Sequence, residues 1–148
     1  MSKQLYYSES GQGPALILLH SGGMTGAEWQ PQLAEFSKHF RTVVPDQLGH
    51  GQSPMITERL QIGDIGRAVL ALMDDLDIEQ THLLGSSMGG AVALWLALNA
   101  PERLDKLILF RVGYRKNSST HSGTMEMANP DYWRSVGLEQ WLSKIHTP

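Results

Sequence analysis

The sequence predicts an α/β fold, a mostly parallel sheet with helices on both faces. Three observations predict it. Short β-rich runs alternate with longer helical patterns along the chain. One run, Ala15–His20 (ALILLH), is apolar up to its closing histidine, as expected of a strand covered on both faces. Glycine-rich loops follow the runs that end at His20, Pro45 and Gly85, which suits strands that turn into helices at one edge of a sheet.

Taken in order, Gln4–Ser8 (QLYYS) reads as a first strand, closed by the Gly11–Pro14 turn. Ala15–His20 is the second. The loop Ser21–Gly26 leads into a helix over Ala27–Phe40, with Trp29, Leu33 and Phe36 at helical spacing. Arg41–Pro45 (RTVVP) is the next strand, and the loop Asp46–Pro54 follows it. Leu60 to about Leu76 is the longest amphipathic helix, with Ile62, Ile65, Val69, Leu72 and Leu76 on one stripe. Thr81–Gly85 (THLLG) is a strand, Met88–Asn99 a helix, and Asp105–Phe110 (DKLILF) a further strand. The pattern then changes. Arg115–Met127 is polar and reads as a loop, Asn129-Pro130 caps a short helix, and about Leu138–Ile145 forms another. These last residues read as an appendage to the sheet.

Composition narrows the function. The chain has 148 residues, 41% of them hydrophobic, enough for one core but not for two ordinary domains. A net charge of −3 gives no electrostatic reason to expect nucleic acid or an anionic membrane as partner. Cysteine is absent, which excludes disulfides, a thiolate nucleophile and cysteine-ligated metal, and suits a reducing compartment. The first ten residues, MSKQLYYSES, hold no apolar signal core, and Met88–Leu98 is too short to span a bilayer. The expectation is a soluble, cytoplasmic protein.

Gly85-Ser86-Ser87-Met88-Gly89 matches G-x-S-x-G. The pattern alone arises too readily by chance to decide anything. Its setting is what makes it specific, because it follows a buried strand directly and opens an apolar helix directly. Such a turn forces the serine into a strained conformation with its hydroxyl exposed, and a side chain at either glycine would clash. The helix N-terminus adds free N–H groups that favour developing negative charge. The bland reading is a serine–glycine cap on an ordinary loop.

With these residues in hand, the sequence resembles the α/β-hydrolase superfamily in three places. THLLGSSMGG (residues 81–90) is similar to its nucleophile elbow, ALILLHSGGMTG (15–26) to its oxyanion strand and loop, and PDQLGHGQS (45–53) to its D-x-x-G-x-G-x-S loop. In detail it resembles the cofactor-free esterases, lactonases and carbon–carbon hydrolases. The resemblance implies a core over residues 1–113, cut before the last strands of the fold, and the beginning of a helical cap over 114–148. It implies Ser87 as nucleophile, with the Met88 N–H as one oxyanion donor and Gly22 as the other. The family usually has His-Gly where this chain has His20-Ser21, so Gly23 stays open as the alternative. Gly23, His50, Trp133 and Trp141 are candidate pocket residues. Met88 could also lend its side chain to the pocket floor. His20 reads as a hydrogen-bonded structural histidine before it reads as a base. Asp46, Gly49, Gly51 and Ser53 read as loop formers, and Trp29 and Trp95 as packing residues.

A serine needs a base to become a nucleophile, and the family order is serine, carboxylate, histidine. After Ser87 the acids are Glu102, Asp105, Glu126, Asp131 and Glu139, and the histidines His121 and His146; none is well placed for the role. Asp105 opens its strand and so lies at the wrong end. The expectation is that the acid and the histidine lie beyond Pro148. The resemblance implies a serine hydrolase of a small-molecule ester, lactone or related acyl substrate, with no metal and no organic cofactor, weak or inactive as these residues alone. The competing expectation is a non-catalytic binding protein. Leu107–Phe110 would then be an apolar edge that pairs with another chain.

Overall fold

The computed structural model describes residues 4–57 and 59–112, so the helices expected near 129–145, along with Trp133, Trp141, His121 and His146, lie outside the described residues. Among those described, five strands form one sheet. They are β1 (Tyr7–Ser10), β2 (Ala15–Leu19), β3 (Arg41–Pro45), β4 (Thr81–Ser86) and β5 (Leu104–Phe110), in spatial order β1-β3-β2-β4-β5. β1 runs antiparallel to β3, and the other neighbours are parallel. The helices are α1 (Gln30–Phe36), α2 (Ile62–Asp75) and α3 (Met88–Asn99).

The alternation of β2 divides the core, because successive side chains leave opposite faces of a strand. Ile17 and Leu19 pack with Val43 and Leu83 under α2 and α3, where Ile65, Val69, Leu72, Val92 and Leu96 meet them. Leu16 and Leu18 face the other way, with Val44, Trp29, Leu33 and Phe36 from α1 and the turn before it. The sheet therefore carries helices on both faces, as its apolar central strand requires. α2 begins where the Gln61 N–H donates to the Asp64 carboxylate at 2.9 Å, half of a capping box. α3 is apolar nearly all round, the pattern of a helix buried against its neighbours.

Two elements differ from the sequence reading by more than two residues at one end. β1 runs Tyr7–Ser10 rather than Gln4–Ser8. Its partner β3 ends at Pro45, opposite Tyr7, so residues before it meet the next loop instead. The Tyr6 N–H donates to Ser53 Oγ at 2.9 Å, and Tyr6 O accepts from the Asp46 N–H. The helix expected over 27–40 is a 3₁₀ turn, Gly26–Trp29, followed by α1. Pro31 sits in the first turn of α1 and has no N–H to give Ala27 O, which accepts the shorter 3₁₀ bond from Gln30. At the other end the Ser37 hydroxyl donates back to Leu33 O at 2.7 Å, and a tight turn carries the chain into β3. β3 and α3 have the bounds that the sequence reading gave them.

β5 is the edge strand among the described residues. Ile108, Leu109 and Phe110 are 52%, 40% and 52% exposed there. No helix among the described residues is long and apolar enough to cross a membrane.

Candidate active site

The strand order places the site. The chain leaves β2 toward β3 on one side, and returns to β4 on the other. Loops leaving the carboxyl ends of β2 and β4 therefore diverge around a crevice, the usual ligand position in an open α/β sheet.

The loop after β4 is a single residue. β4 ends at Ser86, α3 begins at Met88, and Ser87 between them has φ 52° and ψ −110°. A positive φ on a non-glycine residue costs roughly 1–3 kcal/mol, so the surroundings must impose it. They do so from two sides. The Ser87 N–H donates to Phe110 O at the end of β5 at 2.9 Å. Glycines let the turn close. A β-carbon on Gly89 would press into the carbonyl oxygens of Leu19 and His20, and one on Gly85 into the backbone of Gly89 and Gly90. The elbow thus sits directly on the carboxyl end of β2. Ser87 is exposed, stands at the N-terminus of a 12-residue helix, and makes no side-chain cap to it.

The loop after β2 faces this elbow, and its amides can be accounted for one by one. The Ser21 N–H donates to Glu28 Oε2 at 2.6 Å, the Gly23 N–H to His50 Nε2 at 3.2 Å, and the Met24 N–H to Ser21 O at 3.2 Å. The Gly22 N–H has no acceptor among the described residues. Gly22 lies against the elbow, where an added β-carbon would be 3.5 Å from both Cβ and Sδ of Met88.

Behind the loop, His20 is fully buried and both its ring nitrogens are engaged. Nε2 accepts the Gln47 N–H at 2.9 Å, so Nδ1 carries the proton and donates to Ser21 O at 2.8 Å. The Gln47 side chain donates to His20 O at 2.6 Å. His20 is a structural histidine, locked neutral between two loops, with neither nitrogen left for proton transfer. Burial holds its pKa below the ordinary 6.5, against the opposing pull of the Ser21 carbonyl. The sign follows. Just below pH 6.5 the unfolded chain takes up a proton that the folded chain refuses, so stability falls as the pH drops through that window. The urea midpoint is expected to be lower at about pH 5.5 than at about pH 7.5, and a His20→Gln variant to lose part of that slope.

The third loop holds its shape through Asp46. Its carboxylate accepts the Gly26 N–H at 2.8 Å and the Gln52 N–H at 2.9 Å, and its carbonyl accepts the Ser53 hydroxyl. Gly49 and Gly51 take φ of 80° and 53°, and a β-carbon on Gly51 would overlap the Asp46 carboxylate. His50 at the tip donates through Nδ1 to Leu48 O and stacks edge-on against His20 at 5.2 Å. Trp29 is buried in the core and Trp95 packs over Gly63 and Gly66 of α2.

Ser87, Met88, Gly22, Gly23 and His50 thus gather at one end of the sheet, whereas Trp133 and Trp141 lie outside the described residues. Sequence reasoning missed Glu28 and Gln47. The signal for Glu28 was Ser21 itself, a hydroxyl where the resembling family has glycine, which needs a partner once half-buried. No signal marked Gln47. No cluster of metal-ligating side chains occurs among the described residues.

A sequence profile described as alpha/beta hydrolase fold matches residues 14–136. The 2-hydroxy-6-oxo-6-phenylhexa-2,4-dienoate hydrolase of Comamonas testosteroni is 40% identical over 114 residues, covering 74% of this chain and 40% of that protein. The pimeloyl-[acyl-carrier protein] methyl ester esterase of Vibrio campbellii is 40% identical over 108 residues, covering 73% and 41%. Among solved structures, a hydrolase from Pseudomonas aeruginosa PA01 superposes with a TM-score of 0.77 at 34% identity, over 84% of this chain and 48% of that one. The chain spans about two fifths of the length of these two curated relatives.

Proposed function

The chain belongs to the alpha/beta hydrolase fold family, and from that premise we propose that it carries the nucleophile and oxyanion-binding half of a serine hydrolase. The substrate class is a small-molecule ester, lactone or related acyl compound. The observation that carries the reading is Ser87, exposed at φ 52° between a strand and a helix N-terminus, where a cap residue would ordinarily bond the helix and this one does not.

In the proposed reaction, Ser87 Oγ attacks the acyl carbonyl while a base outside the described residues takes its proton. The new C–O bond makes a tetrahedral oxyanion. The Met88 N–H, at the first turn of α3, and the Gly22 N–H stabilise it. Gly22 is preferred to Gly23 because the Gly23 amide is already spent on His50 Nε2. Collapse expels the alcohol or enol, which takes the proton held by the base. Water then gives a proton to that base, attacks the acyl group and releases it as the acid, the proton returning to Ser87 Oγ. No metal or organic cofactor takes part. The relatives support this class: one is named as an ester hydrolase and another as a hydrolase of a dienoate.

The test is a fluorophosphonate probe on the full-length protein, followed by peptide mass spectrometry. A single adduct on Ser87 is expected. An unlabelled Ser87, with the probe active on a control hydrolase, would sink the proposal.

A second reading, a binding protein that pairs through its sheet edge, is favoured by the exposed apolar face of β5. In that reading the 148-residue chain associates reversibly. Sedimentation velocity is expected to show weight-average mass rising with concentration, and Ile108→Lys to return it toward the monomer. A concentration-independent monomer counts against the pairing.

A further inference from the structure

Ser21 stands where the resembling family has glycine, and the structure shows what its hydroxyl does. Its backbone N–H donates to Glu28 Oε2 at 2.6 Å and its Oγ to Glu28 Oε1 at 2.9 Å, so both carboxylate oxygens are spent on one residue. A hydroxyl has one proton. The 3.0 Å contact between Ser21 Oγ and Ser86 Oγ must therefore have Ser86 as donor. A directed chain results, from Ser86 to Ser21 to the Glu28 carboxylate. Ser86 is fully buried and immediately precedes Ser87.

We infer that Glu28 is a positioning residue that aims the Gly22 N–H at the elbow, acting through Ser21 and keyed to β4 by Ser86. This rests on the serine-hydrolase reading. The peptide between Ser21 and Gly22 is planar and trans, so fixing its carbonyl fixes the opposed N–H. Ser21 O is held twice, by His20 Nδ1–H at 2.8 Å and by the Met24 N–H at 3.2 Å. Glu28 holds the same residue at its N–H and its side chain. Glu28 is itself anchored, on a 3₁₀ turn between buried Trp29 and the Gly26 N–H that Asp46 accepts at 2.8 Å. With Gly23 tied to His50, the loop is pinned on both sides of Gly22. A charge-assisted, two-pronged bond is the strongest of these pins.

The test uses the full-length protein with p-nitrophenyl butyrate, and follows the backbone amides by 15N–1H correlation spectra. Loss of one oxyanion donor costs about 10²–10³-fold in turnover, so a misaimed one should cost about 10–100-fold. Glu28→Ala is expected to lower kcat by that factor with KM altered less than about threefold. The Ser21 and Gly22 amide resonances should shift together. Glu28→Gln keeps an oxygen for the Ser21 N–H and should recover most of kcat. If Glu28→Ala does not fold, Glu28→Asp, which withdraws the carboxylate by one methylene, serves in its place with the same expectation. Unchanged kcat with only a lower melting temperature overturns the proposal. Ser87→Ala is the control: if it retains hydrolysis, the serine reading fails by itself. The amide spectra then still decide the loop, and an unmoved Gly22 resonance overturns its pinning by Glu28.

Discussion

Replacing Ser87 by alanine in the full-length protein is expected to lower ester hydrolysis by roughly 10⁴-fold or more, while the fold stays intact. Alanine removes only Oγ, and that oxygen makes no cap to α3, so folding loses no such bond. The backbone strain at φ 52° is the same for alanine as for serine. Ser87→Gly removes the strain as well, and should be inactive yet at least as stable as the parent. The two variants separate chemistry from folding. Steady-state hydrolysis and thermal melting, measured side by side, check the pair. Retained turnover in the alanine variant would mean that another group performs the attack. An unfolded alanine variant would mean that the hydroxyl had a structural partner.

Gly89→Ala is expected to do the reverse and damage the fold itself. The added β-carbon would press against Leu19 O and His20 O at the end of the central strand. Backbone cannot step aside as a flexible side chain can. Ordinary overpacking costs about 1–3 kcal/mol, and this collision should exceed that range. In a chain of this size such a loss lowers the melting temperature by roughly 10 °C or more. Relief could come only by moving α3 away from β2, which would also carry Ser87 and Met88 away from Gly22. The variant should therefore lose labelling by the phosphonate probe even in the fraction that remains folded. A melting curve within about 2 °C of the parent would show that the elbow is looser than its contacts imply.

Much of this was legible in the chain, and the exceptions have physical causes. β3 and α3 were bounded correctly because each has a clear stop in the chain, Pro45 closing β3, and the elbow serine and Pro101 standing at the two ends of α3. The two-faced sheet followed from one apolar run, Ala15–Leu19, since a strand with no polar face must be covered twice. The helix over 27–40 was overdrawn because Trp29, Leu33 and Phe36 keep helical spacing across a 3₁₀ turn that Pro31 imposes. The strain at Ser87 could be anticipated from strand, turn and helix in sequence. Glu28 could not. Its role depends on the chain folding back from the 3₁₀ turn onto Ser21, and on Ser86 arriving from a strand far along the sequence. Hydrogen-bond networks among residues from different elements leave no periodic trace. The choice between Gly22 and Gly23 was likewise out of reach, because it turns on which amide His50 occupies.

The bond from the Ser87 amide to Phe110 O has one more consequence. The elbow leans on the outermost strand that the structure describes as well as on the end of the central strand β2. During synthesis β4 and α3 leave the ribosome before β5 does, so the serine's backbone cannot be latched until Phe110 has emerged and docked. Order of translation thus sets the order of assembly. A growing chain holds Ser87 in an unset turn, and gains a fixed one only after the neighbouring strand has closed beside it.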